Sequence, residues 1–301
     1  MPFRPPFEPR SLLFVPADAQ AFIAKAAIRG ADVIVLDLED GVAPAAKQDA
    51  RAALGGAVRQ LQQRGATVHV RVNHVPALLL DDLRGAVVAG ADGIVVPKID
   101  TPEQLAQIDA MLGREEVSAD KAGLAIGLLG LVESPLGIVQ AAAIAKASPR
   151  LVALCFGSED LAAAMGVEPS PESLCWPAQS MAFAAMAAGL TALGLPGSVG
   201  NFTDLAAYRA IVQRAKRLGM RGATCIHPAQ VPILNEVFGV SEQDAREAER
   251  VVDVFDAALR AGKGAVSLDG RMIDEPIANR ARHLLRRHAR QGSARTLGVA
   301  P

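Results

Sequence analysis

Val33-Ile34-Val35-Leu36-Asp37-Leu38-Glu39 runs apolar for four residues without alternation and then turns to carboxylates. A strand with one face in water alternates polar and apolar residues, whereas one that is apolar throughout is covered on both faces, as in a parallel sheet. Working outward, seven further short apolar runs recur, several of them likewise without alternation: Ser11–Ala17, Val68–Asn73, Gly93–Lys98, Leu124–Glu133, Leu151–Gly157, Leu190–Pro196 and Gly222–Pro228. Between them lie Ala-rich segments of helical period, such as Ala19–Ile28 and Asp204–Leu218. Gly30, Gly90, Gly189 and Gly219 stand where a helix must close in the left-handed conformation. Thr101-Pro102 reads as an N-cap followed by proline in the first turn. Eight strands alternating with helices predict the α/β class and a (β/α)₈ TIM barrel over residues 8–236. The competing open doubly wound sheet calls for a glycine-rich loop after its first strand, and Phe14-Val15-Pro16-Ala17-Asp18-Ala19-Gln20 contains no glycine. Farther on, Ser241–Ala261 and Ile277–Arg290 are amphipathic and are joined by a turn-like insert, Gly262–Gly270. They predict a C-terminal helical arm over 237–291, either capping its own barrel or reaching a neighbour, with a disordered tail at 292–301.

Composition narrows the function classes. The 301 residues are 50% hydrophobic and 21% charged, which suits a globular chain with a large core. With 31 basic against 32 acidic residues, no global field points to nucleic acid or membrane as partner. Arg286-Arg287-His288-Ala289-Arg290 reads as a solvated helix end. Ser173–Thr203 carries no charge, but Pro177, Pro196 and four glycines interrupt it. A spanning helix needs ~20 continuous apolar residues, so a buried helix followed by a buried strand is expected, with Trp176 in the core or a pocket wall. The N-terminus shows no apolar core of a signal peptide. Cys155, Cys175 and Cys225 have no metal or redox spacing, and the first and last read as buried hydrophobes. A soluble protein of the reducing cytoplasm is expected.

In such barrels the chemistry sits at the C-terminal ends of the strands. Those ends supply Asp37, Glu39 and Asp40, then Arg71 and Asn73, Lys98, Glu133, Glu159 and Asp160, and His227. Charges ending apolar strands are costly unless paired or bound to metal. Glu133 and Asp160 suit Mg²⁺, which keeps several waters and takes substrate oxygens. Arg71 offers a planar fork to a carboxylate or carbonyl. Together they would hold a 2-keto or 2-hydroxy acid and stabilise an enolate. Asp37, Glu39 and Asp40 read as groups that support the site, contact substrate or cap a helix. Lys98 suits an ion pair better than a Schiff base. His227 stays open between acid–base work and hydrogen-bonded packing.

Several of these strings, in order and at matching spacing over roughly residues 10–290, resemble one family. They are Arg10–Pro16, Val35–Val42, Val70–Asn73, Val96–Lys98, Val132–Ser134, Phe156–Leu161, Cys225–Gln230 and Ser267–Asp274. They resemble the citrate lyase β-subunit-like branch of the HpcH/HpaI aldolase superfamily, which includes malyl-CoA and citramalyl-CoA lyases. The resemblance implies a barrel commonly trimeric or hexameric, Mg²⁺ on Glu133 and Asp160, and Arg71 on the substrate carbonyl or enolate. It also implies that Asp274 reaches a neighbour's site as general acid or base on the thioester side. The sequence departs from the pattern at Ala17, at Gln179, at Gly194-Leu195 and in Gly197–Asn201. The expected activity is cleavage of a 3-hydroxyacyl thioester. A class II aldolase on a free hydroxy-keto acid and a noncatalytic or complex-dependent β-like subunit are the alternatives.

Overall fold

The computed structural model describes residues 7–120 and 126–296, with side chains through 291. The chain divides into two compact units, Met1–Phe238 and Gly239–Pro301.

The first unit contains eight parallel strands in the ring order β7-β6-β5-β4-β3-β2-β1-β8. They are β1 (Ser11–Pro16), β2 (Val33–Asp37), β3 (Val68–Arg71), β4 (Gly93–Val96), β5 (Gly127–Val132), β6 (Leu151–Phe156), β7 (Thr191–Gly194) and β8 (Ala223–Cys225). Each lies inside one of the eight apolar runs. A bridge between Leu193 and Gly222 closes the ring, helped by Gly194 N–H donating to Gly222 O at 2.9 Å. The helices are α1 (Gln20–Ala26), α2 (Lys47–Gln62), α3 (Pro76–Ala89), α4 (Pro102–Ser118), α5 (Pro135–Ile144), α6 (Ser158–Met165), α7 (Pro171–Ala187), α8 (Leu205–Arg217) and α9 (Val231–Phe238). The capping reading holds at α4, where Thr101 forms a capping box with Gln104. All four predicted closing glycines have positive φ, between 72° and 101°.

Strand alternation splits the core in two. Ile34, Leu36, Val70, Ile94, Leu128 and Leu154 pack outward with the helices. Val33, Val35, Val95, Leu129, Leu131, Ala153, Cys155 and Leu193 fill the interior. His69 shares this inward parity and stacks on Phe7 with ring centroids 5.2 Å apart. Gly93 on the adjacent strand makes room for it, since a Cβ there would lie 2.6 Å from the imidazole. Burial holds His69 neutral, pushing its pKa down to about 4 against the opposing pull of Asp92. No helix among the described residues is long and apolar enough to cross a membrane.

The second unit contains α10 (Glu242–Arg260), an antiparallel hairpin of β9 (Val266–Leu268) and β10 (Arg271–Ile273), and α11 (Glu275–Thr296). Residues 297–301 of the expected tail lie outside the described residues. The insert read as a turn is this hairpin, turning on Asp269-Gly270 with φ of 50° and 76°. Two successive left-handed residues match the twist of the flanking strands. Phe255, Ile273 and Ala278 form the unit's small core.

Candidate active site

Inward parity, carried one step past the apolar interior, delivers the polar groups. Val33 and Val35 are followed by Asp37, His69 by Arg71, Leu129 and Leu131 by Glu133, and Ala153 and Cys155 by Gly157. The same alternation that packs the barrel thus aims three charged side chains into its C-terminal mouth.

Arg71 is held from several sides. Its Nε and Nη2 donate to Asp37 Oδ1 and Oδ2 at 2.7 and 2.6 Å. Nη1 lies 3.0 Å from Glu39 Oε2 and 3.9 Å from Asp40 Oδ2. The guanidinium stacks 4.9 Å over Phe14. Burial opposes its charge, but the bonds and charges of Asp37, then Glu39 and Asp40, outweigh that and raise its pKa. Asp37 also accepts N–H bonds from Glu39 and Gly41, both at 2.8 Å, so it caps the turn after β2 as well as gripping Arg71. Gly41 is required there, because a Cβ would stand 2.5 Å from Asp37 Oδ2.

Glu39 is 2% exposed and sits at the centre of the cation pair. Its Oε1 accepts from Lys98 Nζ at 3.1 Å and lies 2.9 Å from His74 Nδ1. Its Oε2 faces Arg71 at ion-pair distance without a hydrogen bond. Lys98 is therefore ion-paired, as expected, and Asp40 Oδ2 stands 3.6 Å from its Nζ. Burial opposes the Lys98 charge, but Glu39, Asp40 and Asp160 together raise its pKa. Lys98 has φ of 53°, an unusual left-handed backbone for a non-glycine residue. That conformation breaks strand parity and turns its N–H onto Glu133 Oε1 at 2.7 Å.

Glu133 directly follows β5 and is 5% exposed. Its pKa is pushed up to about 8, first by burial and then by Asp160, against the Lys98 N–H. Asp160 lies in the first turn of α6 and accepts no hydrogen bond among the described residues. Two carboxylates, one buried and charged only at a cost, form a donor pair that a divalent cation would relieve. No cluster of three or more His, Cys, Asp or Glu forms a cage among the described residues. A two-carboxylate site suits Mg²⁺, which keeps waters and substrate oxygens in its remaining positions.

The rest of the mouth is neutral or structural. Glu159 Oε1 accepts from Ser198 Oγ at 2.6 Å and Val199 N at 2.9 Å, pinning the loop after β7 beside Asp160. His227 Nδ1 accepts from Ala229 N at 3.2 Å and its ring stacks on Phe202 at 4.7 Å, a packing arrangement. Trp176, expected in the core or a pocket wall, is 72% exposed on α7 and corrects that reading. In the second unit, Asp274 precedes α11 and accepts from Ile277 N at 3.3 Å. Cys155 and Cys225 are buried as expected. Phe14, Gly157, Lys47 and Asp82 were not singled out by sequence. The signal for Asp82 was an acid at a core-facing position of α3, between Leu79, Leu83 and Ala86.

Residues 10–228 match the HpcH/HpaI aldolase/citrate lyase family. The chain is 36% identical over 281 residues to citrate lyase subunit beta of Escherichia coli, covering 92% of each chain. It is 32% identical over 306 residues to L-malyl-CoA/beta-methylmalyl-CoA lyase of Cereibacter sphaeroides, covering 94% of this chain and 95% of that one. Among solved structures it is similar to protein CitE from Mycobacterium tuberculosis in complex with magnesium, acetoacetate and coenzyme A. That likeness has a TM-score of 0.73 and 29% identity, over 93% of this chain and 97% of that one. With its barrel, its strand-end carboxylates and this breadth of similarity, the chain belongs to the HpcH/HpaI aldolase/citrate lyase family of carbon–carbon lyases.

Proposed function

We propose that the chain cleaves a 3-hydroxyacyl thioester of the malyl-CoA, citramalyl-CoA or citryl-thioester type. The C2–C3 bond breaks, the 3-hydroxyl gives up its proton and becomes the carbonyl of a 2-oxo acid. The acyl fragment leaves as a thioester enolate that gains a proton on its α carbon. The observation that carries this reading is the pairing of buried Glu133 with Asp160 near an Arg71 already locked in place. Glu133 and Asp160 would hold Mg²⁺, whose chemistry when bound is Lewis-acid stabilisation of negative charge on oxygen. Arg71, fixed by Asp37, presents guanidinium N–H groups to the oxygen on which charge develops. Lys98 holds Glu133 through its backbone and pairs with Glu39 through its ammonium. The resemblance supports Asp274 as the proton-transferring acid, supplied by a neighbouring copy within a trimer or hexamer. The named relatives, a citrate lyase subunit and a malyl-CoA lyase, support the thioester class.

The test is a cleavage assay on purified protein with malyl-CoA, citramalyl-CoA, citryl-CoA and 4-hydroxy-2-oxo acids, with Mg²⁺ and with chelator. Chelator-sensitive cleavage of a thioester, abolished in Glu133→Ala and Asp160→Ala, is expected. Cleavage of the oxo acids alone would transfer the chain to the aldolase reading. Mg²⁺ binding without any turnover would favour a subunit that works only inside a complex.

A further inference from the structure

Behind the mouth lies a second polar network that the reaction chemistry does not use. Lys47, at the start of α2, donates to Leu38 O, Glu39 O and Asn73 Oδ1 at 2.9, 2.8 and 2.6 Å. Those three bonds occupy all three ammonium protons. Asn73 Nδ2 donates to Leu38 O at 2.8 Å and to Asp82 Oδ2 at 2.6 Å, which orients its amide. Asp82, 0% exposed on α3, accepts Asn73 N at 2.9 Å on the same oxygen and Arg51 Nε at 2.6 Å on the other. The network ties α2 and α3 to the ends of β2 and β3, at the segment that carries Glu39.

We propose that Lys47, Asn73 and Asp82 are positioning residues that set the binding geometry of Arg71 and Lys98 by fixing Glu39. Resting on the function proposed above, this assigns the accuracy of the substrate-gripping half of that site to residues outside it. The physical reason is that Glu39 contacts both mouth cations through one carboxylate, so a shift of its backbone moves both. Lys47 grips the two carbonyls that define that backbone. The network touches neither Glu133 nor Asp160 and reaches Glu133 only at second hand, through Glu39 and Lys98, so the metal half should feel it far less than the cations do.

The test separates the halves without needing turnover. In Lys47→Met, which keeps the stem and loses all three donors, the affinity for pyruvate in saturating Mg²⁺ should fall at least tenfold by calorimetry. Mg²⁺ affinity should stay within twofold of the parent protein, and methylammonium should restore part of the pyruvate affinity to Lys47→Ala. Should Lys47→Met fail to fold, Asp82→Asn keeps the shape, removes the charge, and should shift the same two affinities in the same ratio. Unchanged pyruvate affinity, or pyruvate and Mg²⁺ affinities falling together, would overturn the proposal. A parent protein that binds pyruvate with Mg²⁺ yet cleaves no thioester would sink the function proposed above and leave this test intact.

Discussion

Gly157 links the two carboxylates, and its replacement by alanine probes the site without touching either charge. Its backbone has φ of −92° and ψ of 93°, which alanine adopts freely, so any effect comes from space. A Cβ there would stand 2.5 Å from Glu133 Cβ and collide with Oε2 of the same side chain. The carboxylate end could rotate away, but the Cβ is fixed to β5. Either the start of α6, which carries Asp160, or the end of β5 must therefore move. Overpacking of this kind costs about 1–3 kcal/mol, and in a unit of this size each kcal/mol lowers Tm by roughly 2–4 °C. In the metal site proposed on Glu133 and Asp160, displacing one carboxylate should weaken divalent-ion binding by at least about tenfold, equivalent to roughly 1.4 kcal/mol. Mn²⁺ titration followed by electron paramagnetic resonance measures the affinity, and calorimetric scanning measures Tm. A Gly157→Ala protein with parental Mn²⁺ affinity and parental Tm would refute the reasoning, because it would show that the two carboxylates are not packed through this glycine.

Gly56, within α2, faces open space, with nothing within 4 Å of where an alanine methyl would stand, so Gly56→Ala should stabilise by about 0.4–1 kcal/mol in a denaturant titration. Asp274→Asn should lower kcat with Mg²⁺ affinity unchanged, and an unaltered kcat would reject its part in proton transfer. In chelator, Glu133, at about 8 in the folded protein, binds a proton that the unfolded chain has released, so stability should fall as pH rises from the ordinary carboxylate range through 8. His69, pushed down to about 4, works with the opposite sign below its ordinary value, losing stability as pH falls. Denaturation midpoints between pH 6.5 and 8 should therefore drop for the parent and stay flatter for Glu133→Gln, and equal slopes would exclude Glu133 as the source.

The barrel was legible because most of its strands are apolar on both faces, which marks a parallel sheet, and because the loop after β1 lacks the glycines of the open doubly wound alternative. Most mouth residues were legible for the same reason, since a charge at the end of an apolar strand needs a purpose. The backbone role of Lys98 was not, because a left-handed φ at lysine leaves no mark in residue type. Lys47 and Asp82 lie on different helices, and only the folded register shows both meeting Asn73. Trp176 was misplaced because the uncharged stretch Ser173–Thr203 was read as buried throughout, whereas Trp176 shares the exposed side of α7 with Glu172 and with Phe183, itself 59% exposed. The hairpin in the second unit carried its signal openly in Asp269-Gly270, between strands of three residues too short to show a pattern.

The floor of the barrel carries an evolutionary constraint. Gly93 and His69 occupy one volume between them, with three imidazole atoms inside 3 Å of where a methyl at 93 would stand. Neither position can grow unless the other shrinks, and a bare loss at 69 would open a void beneath Phe7. Descendants of this chain should therefore change the two positions as a pair, trading bulk across adjacent strands, while the mouth above drifts or holds according to the chemistry it serves.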